Sequence, residues 1–371
     1  MRIGIDAKWF FEGHPSGRVF TRNIVEQLVA HYPAHQFILF LRSADRKLAF
    51  PYRAENIQLS YGSAGTNLAS NVFILPRLAR KARPDVIVSQ NFAAPVPGMK
   101  QVCVIFDVIF ETHPQFFTLR ERSYFRFIKP LLRFADSIVT ISGESRIDLE
   151  EFRYATATRP AEVVHLGVSQ QFLDARNIAP DKVRNFKQRM SLPEDFLLYV
   201  GRFNARKNIR GLLRSYARID RSRWKLVLCG RRDWKGERVR DLIAGLGIGE
   251  DTIVLEHIQD QDLPLLYRSA SAFAYVSFKE GFGLPPLEAM AGGTPVIVSD
   301  SKCLREVCGD APEYVNPESI DDMQRGLERV LFDETRRRRM RELGFLQASH
   351  FTWRDSAEKF MHILEKVVGQ V

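Results

Sequence analysis

One stretch of the chain decides its fold, Ser277-Phe-Lys-Glu-Gly-Phe-Gly-Leu-Pro-Pro-Leu-Glu-Ala-Met-Ala-Gly-Gly-Thr-Pro-Val-Ile297. A buried apolar run precedes this stretch, and Pro285 or Pro286 suits the first position of a helix. The turn at Gly281 and Gly283 therefore joins a strand to a helix. Such a turn presents backbone N–H groups beside the positive end of the helix dipole, which predicts an anion site suited to phosphate.

Two carboxylates border this predicted anion site. Glu280 comes before the turn, and Glu288 lies in the first turns of the helix. Carboxylates beside a phosphate site suit the binding of sugar hydroxyls, because they accept hydrogen bonds. The alternative is structural: Glu288 complements the helix dipole, and the glycines only shape the turn.

Apolar runs typical of buried parallel strands continue on both sides of this stretch. Amphipathic patterns separate them, as at Phe20–Val29 and Tyr124–Phe134, which gives the alternation of strand and helix found in α/β proteins. The predicted strands are Arg2–Ile5, Phe37–Leu41, Val86–Val88, Val102–Phe106, Ser137–Ile141, Phe196–Val200, Lys225–Cys229, Thr252–Leu255, Ala272–Val276 and Pro295–Val298.

Two successive series of this kind predict the fold class, which is α/β with two doubly wound, Rossmann-like domains facing a cleft. We expect these domains at residues 1–175 and 182–350, with the boundary in the polar segment Asp174–Asp181. The amphipathic tail predicts a final helix, 353–371, that packs back on the first domain. A length of 371 residues allows two domains of ordinary size.

The composition is that of an ordinary globular protein. Hydrophobic residues make up 45% and charged residues 26% of the chain, which excludes wholesale disorder. The start lacks the apolar stretch of a signal peptide, and no run of about 18 apolar residues occurs, so we expect a cytoplasmic protein. The four cysteines are too scattered for a disulfide framework or a zinc site.

The net charge of +10 favours an anionic partner. Ten Lys or Arg residues lie between Phe73 and Arg133 against four acidic ones, so the excess is local. Nucleic acid is not the expected partner, because no recognised binding module is present. A nicotinamide-dependent dehydrogenase is also disfavoured, because the glycine cluster Gly245–Gly249 precedes a strand rather than a helix.

A second segment that runs from strand to loop to helix is Tyr199–Asn208. Proteins of the α/β class bind ligands at the carboxyl ends of their strands, so Arg202 and Lys207 are candidates to hold a diphosphate together. The alternative is a surface loop with solvated charges. Near the start of the chain, the loop that contains Gly17 follows the first strand and can approach a phosphate closely.

These segments together resemble a known family. The E-x7-E motif at Glu280, the basic loop at Arg202 and the opening Arg2–Asp6 resemble the retaining, nucleotide-sugar-dependent glycosyltransferases of the GT-B fold, in the family 4 group. The most specific feature is the E-x7-E motif followed by Ala-Met-Ala-Gly-Gly-Thr-Pro-Val, and the resemblance extends over almost the whole chain. Three further elements look like those of the family or of its bacterial mannosyltransferase branch, namely Asp136–Ser142, His165–Val168 and Thr112–Pro114.

The resemblance implies a role for each matching residue. Arg202 and Lys207 would bind the donor diphosphate, and Glu280 would bind the hydroxyls of the donor sugar. Glu288 would bind the nucleotide ribose, and Gly17 would close over the phosphate from the other domain. The remaining donor-binding residues that it implies are the backbone of Gly281, Phe282, Gly283 and Leu284 over the sugar and phosphate, and His257 beside the base.

The sequence departs from its mannosyltransferase relatives at Phe106-Asp107, where they usually have His-Asp. The imidazole expected near the donor sugar is therefore missing from this position. Asp107 is a candidate catalytic residue that binds acceptor or sugar, and the alternative is a carboxylate that caps a loop. His113 either substitutes for the missing imidazole or is structural.

The implied activity is retaining transfer of a hexose from a nucleotide sugar to a glycan or a lipid-linked glycan, in surface polysaccharide synthesis. Mannose from GDP-mannose is the leading candidate on this resemblance. The alternatives are a UDP-sugar donor and a non-catalytic, regulatory relative of the GT-B enzymes. Because Arg202 and Lys207 would stabilise the leaving diphosphate, neither a metal nor another cofactor is expected.

Within the basic excess, Arg120–Phe134 alternates basic residues with aromatic and aliphatic ones. One interpretation is a surface that lies on anionic lipid, on the inner face of the cell membrane. The other is a core helix whose basic face is solvated. The first interpretation assigns acceptor or membrane contacts to Arg122, Arg126, Lys129 and Arg133.

Overall fold

The computed structural model describes residues 1–52, 54–230 and 238–369, and the chain forms two compact units. The first unit comprises Met1–Gly167 and Thr352–Val371, and the second comprises Val168–Phe351. Residues 370 and 371 of the predicted final helix lie outside the described residues. Each unit contains one parallel sheet and the helices that connect its strands.

The first unit contains a parallel sheet of seven strands within the described residues. The strands are β1 (Arg2–Asp6), β2 (Gln36–Leu41), β3 (Ile57–Tyr61), β4 (Val86–Gln90), β5 (Lys100–Val104), β6 (Ser137–Thr140) and β7 (Ala161–Val163). Their spatial order is β3-β2-β1-β4-β5-β6-β7. The helices that precede the second unit are α1 (Pro15–His31), α2 (Asn67–Ala69), α3 (Leu75–Ala82), α4 (Ile109–Thr112), α5 (Leu119–Phe125), α6 (Ile128–Leu131) and α7 (Gly143–Glu151).

The second unit repeats this architecture with six parallel strands in its described residues. The strands are β8 (Phe196–Val200), β9 (Lys225–Cys229), β10 (Thr252–Leu255), β11 (Ala272–Tyr275), β12 (Val296–Ser299) and β13 (Glu313–Val315). Their spatial order is β10-β9-β8-β11-β12-β13. The helices are α8 (Gln170–Ala175), α9 (Pro180–Arg189), α10 (Ile209–Tyr216), α11 (Val239–Gly245), α12 (Leu263–Ser269), α13 (Leu284–Ala291), α14 (Lys302–Cys308), α15 (Ile320–Leu331) and α16 (Glu334–Ser349).

The last helix, α17 (Trp353–Val368), belongs to the first unit and packs against α1. The buried ring of Phe360 contacts that of Phe20 edge to face, with 5.9 Å between the ring centroids. At the start of the helix, Ser356 donates a hydrogen bond to the carbonyl of His165 at 2.7 Å. Gly167 lies directly against the backbone of residues 352 and 353, so the chain returns to the first unit beside the point where it left.

The predicted α/β class with two Rossmann-like domains is confirmed, but the predicted domain boundary is wrong. The boundary falls between Gly167 and Val168, before the polar segment Asp174–Asp181. Helix α8 explains the difference, because it packs on the second unit through α12 and α13. Its buried Phe172 contacts the ring of Tyr267 at 6.0 Å between centroids.

The prediction of one continuous helix over Tyr124–Phe134 is also wrong. The segment is divided between α5, α6 and a 3₁₀ turn at Leu132–Phe134. Pro130 gives the physical reason, because proline lacks an N–H group and its ring clashes with the carbonyl four residues earlier in a continuous helix. That carbonyl belongs to Arg126, which follows the end of α5.

Candidate active site

The chain order of the second sheet reverses between β8 and its neighbour β11. Connections that leave such a pair of strands run in opposite directions and open a crevice at the carboxyl edge, which is where α/β proteins bind ligands. Both motifs that the sequence singles out follow these two strands. The loop 201–208 leaves β8, and the loop 276–283 leaves β11.

Two asparagines fix the loop after β8. The side-chain oxygen of Asn204 accepts a hydrogen bond from the N–H of Lys207 at 3.1 Å and caps a 3₁₀ turn, Ala205–Lys207. Asn208 is left-handed with φ of 53°, a conformation that asparagine tolerates better than most residues. Its oxygen accepts from the N–H of Gly211 at 3.2 Å and caps α10. The position of Lys207 is therefore set on both sides by side-chain caps.

The centre of the candidate site is the carboxylate of Glu280. Its Oε1 atom accepts from Nζ of Lys207 at 2.7 Å, and its Oε2 atom accepts from Nη1 of Arg206 at 3.1 Å. The side chains of Glu280, Lys207 and Arg206 are 8%, 11% and 21% exposed. Lys207 also donates to the hydroxyl of Tyr275 on β11. One carboxylate thus faces two cations, which leaves excess positive charge beside the loop.

Burial and charge act against each other on these groups. Burial alone would raise the pKa of Glu280, but the charges of Lys207 and Arg206 outweigh it and lower the pKa to about 2. Burial lowers the pKa of Lys207 to about 8, and the attraction of Glu280 opposes that shift. Both groups are therefore charged near neutral pH and form an ion pair.

Sequence reasoning missed two of these partners, Arg206 and Tyr275. Arg206 adjoins Lys207 in the sequence, but its contact with Glu280 depends on the 3₁₀ turn and on the pairing of β8 with β11. Tyr275 is the last residue of a buried strand, where an aromatic residue by itself indicates only the core. One sequence feature could have indicated Arg206: it lies next to Lys207, and both residues follow the capping residue Asn204.

Arg202 precedes and Glu288 follows these residues in the sequence. Their environments differ from that of Glu280. Arg202 is half-buried, and its charge contributes to the lowered pKa of Lys207. Glu288, on α13, accepts a hydrogen bond from the hydroxyl of Tyr267 at 3.2 Å. Burial raises the pKa of Glu288 to about 8, and the negative charge of Asp260 acts in the same direction.

The predicted turn at 281–284 has a defined geometry. Gly283 has φ of +110°, and a Cβ atom there would lie 2.5 Å from Cδ2 of Leu304, so only glycine fits without rearrangement. Helix α13 begins at Leu284, immediately after it. The buried side chain of Phe282 packs against Phe351, with ring centroids 5.9 Å apart. The Phe282 side chain thus has a core role, and its backbone remains part of the candidate site together with Gly281.

His257 is exposed and follows β10 at the same carboxyl edge of the sheet. Asp260, three residues later, is close enough to Glu288 for its charge to act on that carboxyl. The structure therefore brings the segment after β10 to the Glu288 end of the site. Among the described residues, no group of three His, Cys, Asp or Glu side chains is arranged to hold a metal ion.

In the first unit, Gly17 and Asp107 each have a structural contact. Gly17 lies under the indole of Trp9, and a Cβ atom would come 2.1 Å from its Cε3 atom. Asp107 accepts a hydrogen bond from the N–H of Ile109, the first residue of α4, at 3.2 Å. Phe106 is buried and contacts the ring of Phe20 at 5.6 Å, so it is part of the apolar core.

His113 is held by its own segment. Its Nδ1 atom lies 2.9 Å from the hydroxyl of Thr112, and its ring stacks on that of Phe116 with 6.0 Å between centroids. Both contacts lie within its own segment, and the role of His113 stays a prediction.

The predicted basic surface is exposed along α5, α6 and the following turn. Phe127 is 53% exposed within it, and Leu119 is 79% exposed at the start of α5. Lys129 also donates a hydrogen bond to the carbonyl of Phe152 at 2.9 Å. In the part of the chain that the structure describes, each helix is too short or too polar to cross a bilayer. The four basic residues of this surface are Arg122, Arg126, Lys129 and Arg133.

Comparisons with known proteins match both halves of the chain to glycosyltransferase families. Residues 182–346 match the family model of glycosyl transferases group 1, and residues 17–172 match that of glycosyltransferase family 4. The chain is 33% identical over 269 residues to the O-antigen chain mannosyltransferase B of Escherichia coli, which covers 71% of this chain and 69% of that protein.

One further relative and one solved structure differ in how much of each chain the similarity covers. The serotype-specific mannosyltransferase WbdA of Escherichia coli is 27% identical over 293 residues, which cover 75% of this chain but only 36% of that longer protein. The solved structure of sucrose-phosphate synthase from Thermosynechococcus elongatus superposes with a TM-score of 0.79 at 19% identity, over 100% of both chains. The chain therefore belongs to glycosyltransferase family 4 and has the GT-B fold.

Proposed function

We propose that this glycosyltransferase transfers mannose from GDP-mannose to a glycan or lipid-linked glycan, with retention of configuration, during surface polysaccharide synthesis. The observation that carries the proposal is the buried Glu280 carboxylate between Lys207 and Arg206, where the sheet order reverses. Support for mannose comes from the 33% identical O-antigen chain mannosyltransferase B.

Each polar group has a task in this proposal. Arg202 and Lys207 bind the donor diphosphate, and Glu280 accepts hydrogen bonds from the sugar hydroxyls. Glu288 binds the ribose, and its raised pKa makes the contact sensitive to pH. The backbone of the 281–284 turn lies at the N-terminus of α13 and supports the phosphate and sugar. Donor contacts of Gly17 and His257, and an acceptor contact of Asp107, stay predictions.

The chemistry follows from these tasks. The bond between the anomeric carbon and the donor phosphate oxygen breaks, and the acceptor hydroxyl forms a bond on the same face. The acceptor proton passes to the departing phosphate oxygen, so no side-chain nucleophile is required. Positive side chains stabilise the negative charge that develops on the diphosphate. We propose that these cations take the place of a metal ion, and transfer is expected to continue in a chelator.

A binding and product assay tests the function. GDP and GDP-mannose are expected to raise the Tm of the protein, because they bind the native state only. The mannosyl product is expected to keep the anomeric configuration of the donor by NMR. If UDP and a UDP-sugar stabilise the protein instead, the donor assignment is wrong and the enzyme uses that sugar. If no nucleotide binds to the folded protein, a regulatory relative is the better account.

The acceptor side of the proposal includes an anionic membrane surface. The basic residues of α5 and α6 are exposed beside Phe127, an arrangement that suits lipid headgroups and interfacial aromatic contact. The double variant Arg122→Gln/Arg126→Gln is expected to weaken binding to phosphatidylglycerol vesicles by tenfold or more, at about 1 kcal/mol per charge. Co-sedimentation measures this affinity.

The matched control is Arg338→Gln/Arg339→Gln, which removes two exposed charges from α16 in the second unit. This control is expected to bind the vesicles as the wild type does. Equal loss in both double variants would mean that net charge alone drives binding, and the membrane assignment of α5 and α6 would be wrong.

A further inference from the structure

Arg206 has no donor contact in the proposed function, yet it joins the two loops of the candidate site. Its Nη1 atom donates to the carbonyl of Lys279 at 2.5 Å and to Oε2 of Glu280 at 3.1 Å. Its own carbonyl accepts a hydrogen bond from the N–H of Phe278 at 2.9 Å. The loop after β8 is thus fastened to the loop after β11 at three points by one residue.

Arg206 and Lys207 hold Glu280 in different ways. The ammonium of Lys207 is a compact charge on a flexible stem, and it is shared between Glu280 and the hydroxyl of Tyr275. The guanidinium of Arg206 is planar, and its Nη1 atom, which donates to Glu280, also donates to the carbonyl of Lys279, so it is anchored to the same loop that carries Glu280. Arg206 therefore restrains the direction of the carboxylate, whereas Lys207 mainly supplies attraction.

A bound diphosphate changes this balance. It brings negative charge to Lys207 and competes with Glu280 for the ammonium. We propose that Arg206 is a positioning residue that holds the Glu280 carboxylate in place while the donor diphosphate draws the Lys207 ammonium. This inference rests on the proposed function, because it assumes that Lys207 binds the diphosphate and that Glu280 binds the sugar.

The first test separates binding from turnover. In Arg206→Gln, kcat for mannosyl transfer is expected to fall about 10²-fold, while the Kd for GDP stays within about threefold. The reason is that GDP needs Lys207 and Arg202, whereas the sugar needs a correctly placed Glu280. Arg206→Lys restores the charge but not the rigid planar guanidinium, so it is expected to recover only about a tenth of the lost rate.

The second test uses pH. The ionisable groups that face Glu280 are Lys207, Arg206, Tyr199 and Tyr275. Of these, Arg206 and Lys207 lower the pKa of Glu280. The lowest-pH part of the kcat profile, where Glu280 rather than Glu288 takes up a proton, is therefore expected to move to higher pH in Arg206→Gln and to stay in place in Arg206→Lys. A purely structural loss would lower kcat without moving this part of the profile.

The control is Arg329→Gln, because Arg329 also holds a buried carboxylate, that of Glu313, at 2.7 Å. It is expected to leave kcat and its pH profile unchanged. If the wild type is active and Arg206→Gln has the same kcat and pH profile, the role of Arg206 is overturned but the proposed function is not. If the wild-type protein transfers no sugar from any nucleotide sugar, both the proposed function and this inference are overturned.

Discussion

Glu280→Gln is expected to lower kcat by about 10²–10³-fold and to destabilise the protein by about 3 kcal/mol. In the proposed function this carboxylate accepts hydrogen bonds from the sugar hydroxyls, and glutamine cannot replace its charge. Its loss also leaves Lys207 and Arg206 largely buried without their anion. Steady-state transfer assays and urea unfolding measure the two effects.

Glu313→Gln is the matched control for this variant. Glu313 is also buried and also lies between two arginines, Arg329 and Arg336. It is the first residue of β13, however, and therefore lies at the amino ends of the strands, away from the candidate site. It is expected to lose stability and to keep its kcat. If Glu313→Gln loses as much activity as Glu280→Gln, the loss reflects stability and not a role in transfer.

The cost of Glu280→Gln is expected to depend on pH. The pKa of Glu280 lies at about 2, below its ordinary value of 4.5. Between these values the unfolded chain binds more protons than the folded one, so this contribution to stability is lost as the pH falls. The difference in unfolding free energy between wild type and variant should therefore narrow as the pH drops from 4.5 towards 2.

Lys207→Ala is expected to abolish the stabilisation of the protein by nucleotide and to lower kcat by about 10²-fold. The Lys207 side chain is 11% exposed, and a largely buried charge acts more strongly on a diphosphate than a charge in water does. The thermal shift with GDP or GDP-mannose reports the first effect, and transfer assays report the second.

Lys225→Ala is the control for this lysine. Lys225 also pairs with a carboxylate, Asp251 at 2.6 Å, but it lies at the start of β9, away from the carboxyl edge. Its variant is expected to keep the full nucleotide-induced shift in Tm. A full shift in Lys207→Ala as well would place the diphosphate elsewhere.

The sequence allowed both loops of the site to be located because local pattern and topology agree there. Each motif follows an apolar run, and carboxyl ends of parallel strands meet at one edge of the sheet. The structure accordingly places Lys207 2.7 Å from Glu280. The phenols of Tyr267 and Tyr275 could not be predicted, because their contacts depend on side-chain direction across elements far apart in sequence.

The misplaced features of the fold have separate physical causes. Strands β3, β7 and β13 were not predicted, and each lies at the edge of a sheet. Edge strands are shorter or only partly buried, so their apolar pattern is weak. The domain boundary was placed in a polar segment, whereas the change of unit occurs within the less polar run around Gly167.

The first unit can complete its core only late in protein synthesis. Helix α17 supplies Phe360 to that core, and the ribosome reaches it only after all of Val168–Phe351 has been made. The second unit is thus an insertion within the first and is expected to fold before it, which reverses the usual order in which the N-terminal domain folds first. Because Gly167 lies against residues 352 and 353, joining these positions directly would give the first unit an uninterrupted chain.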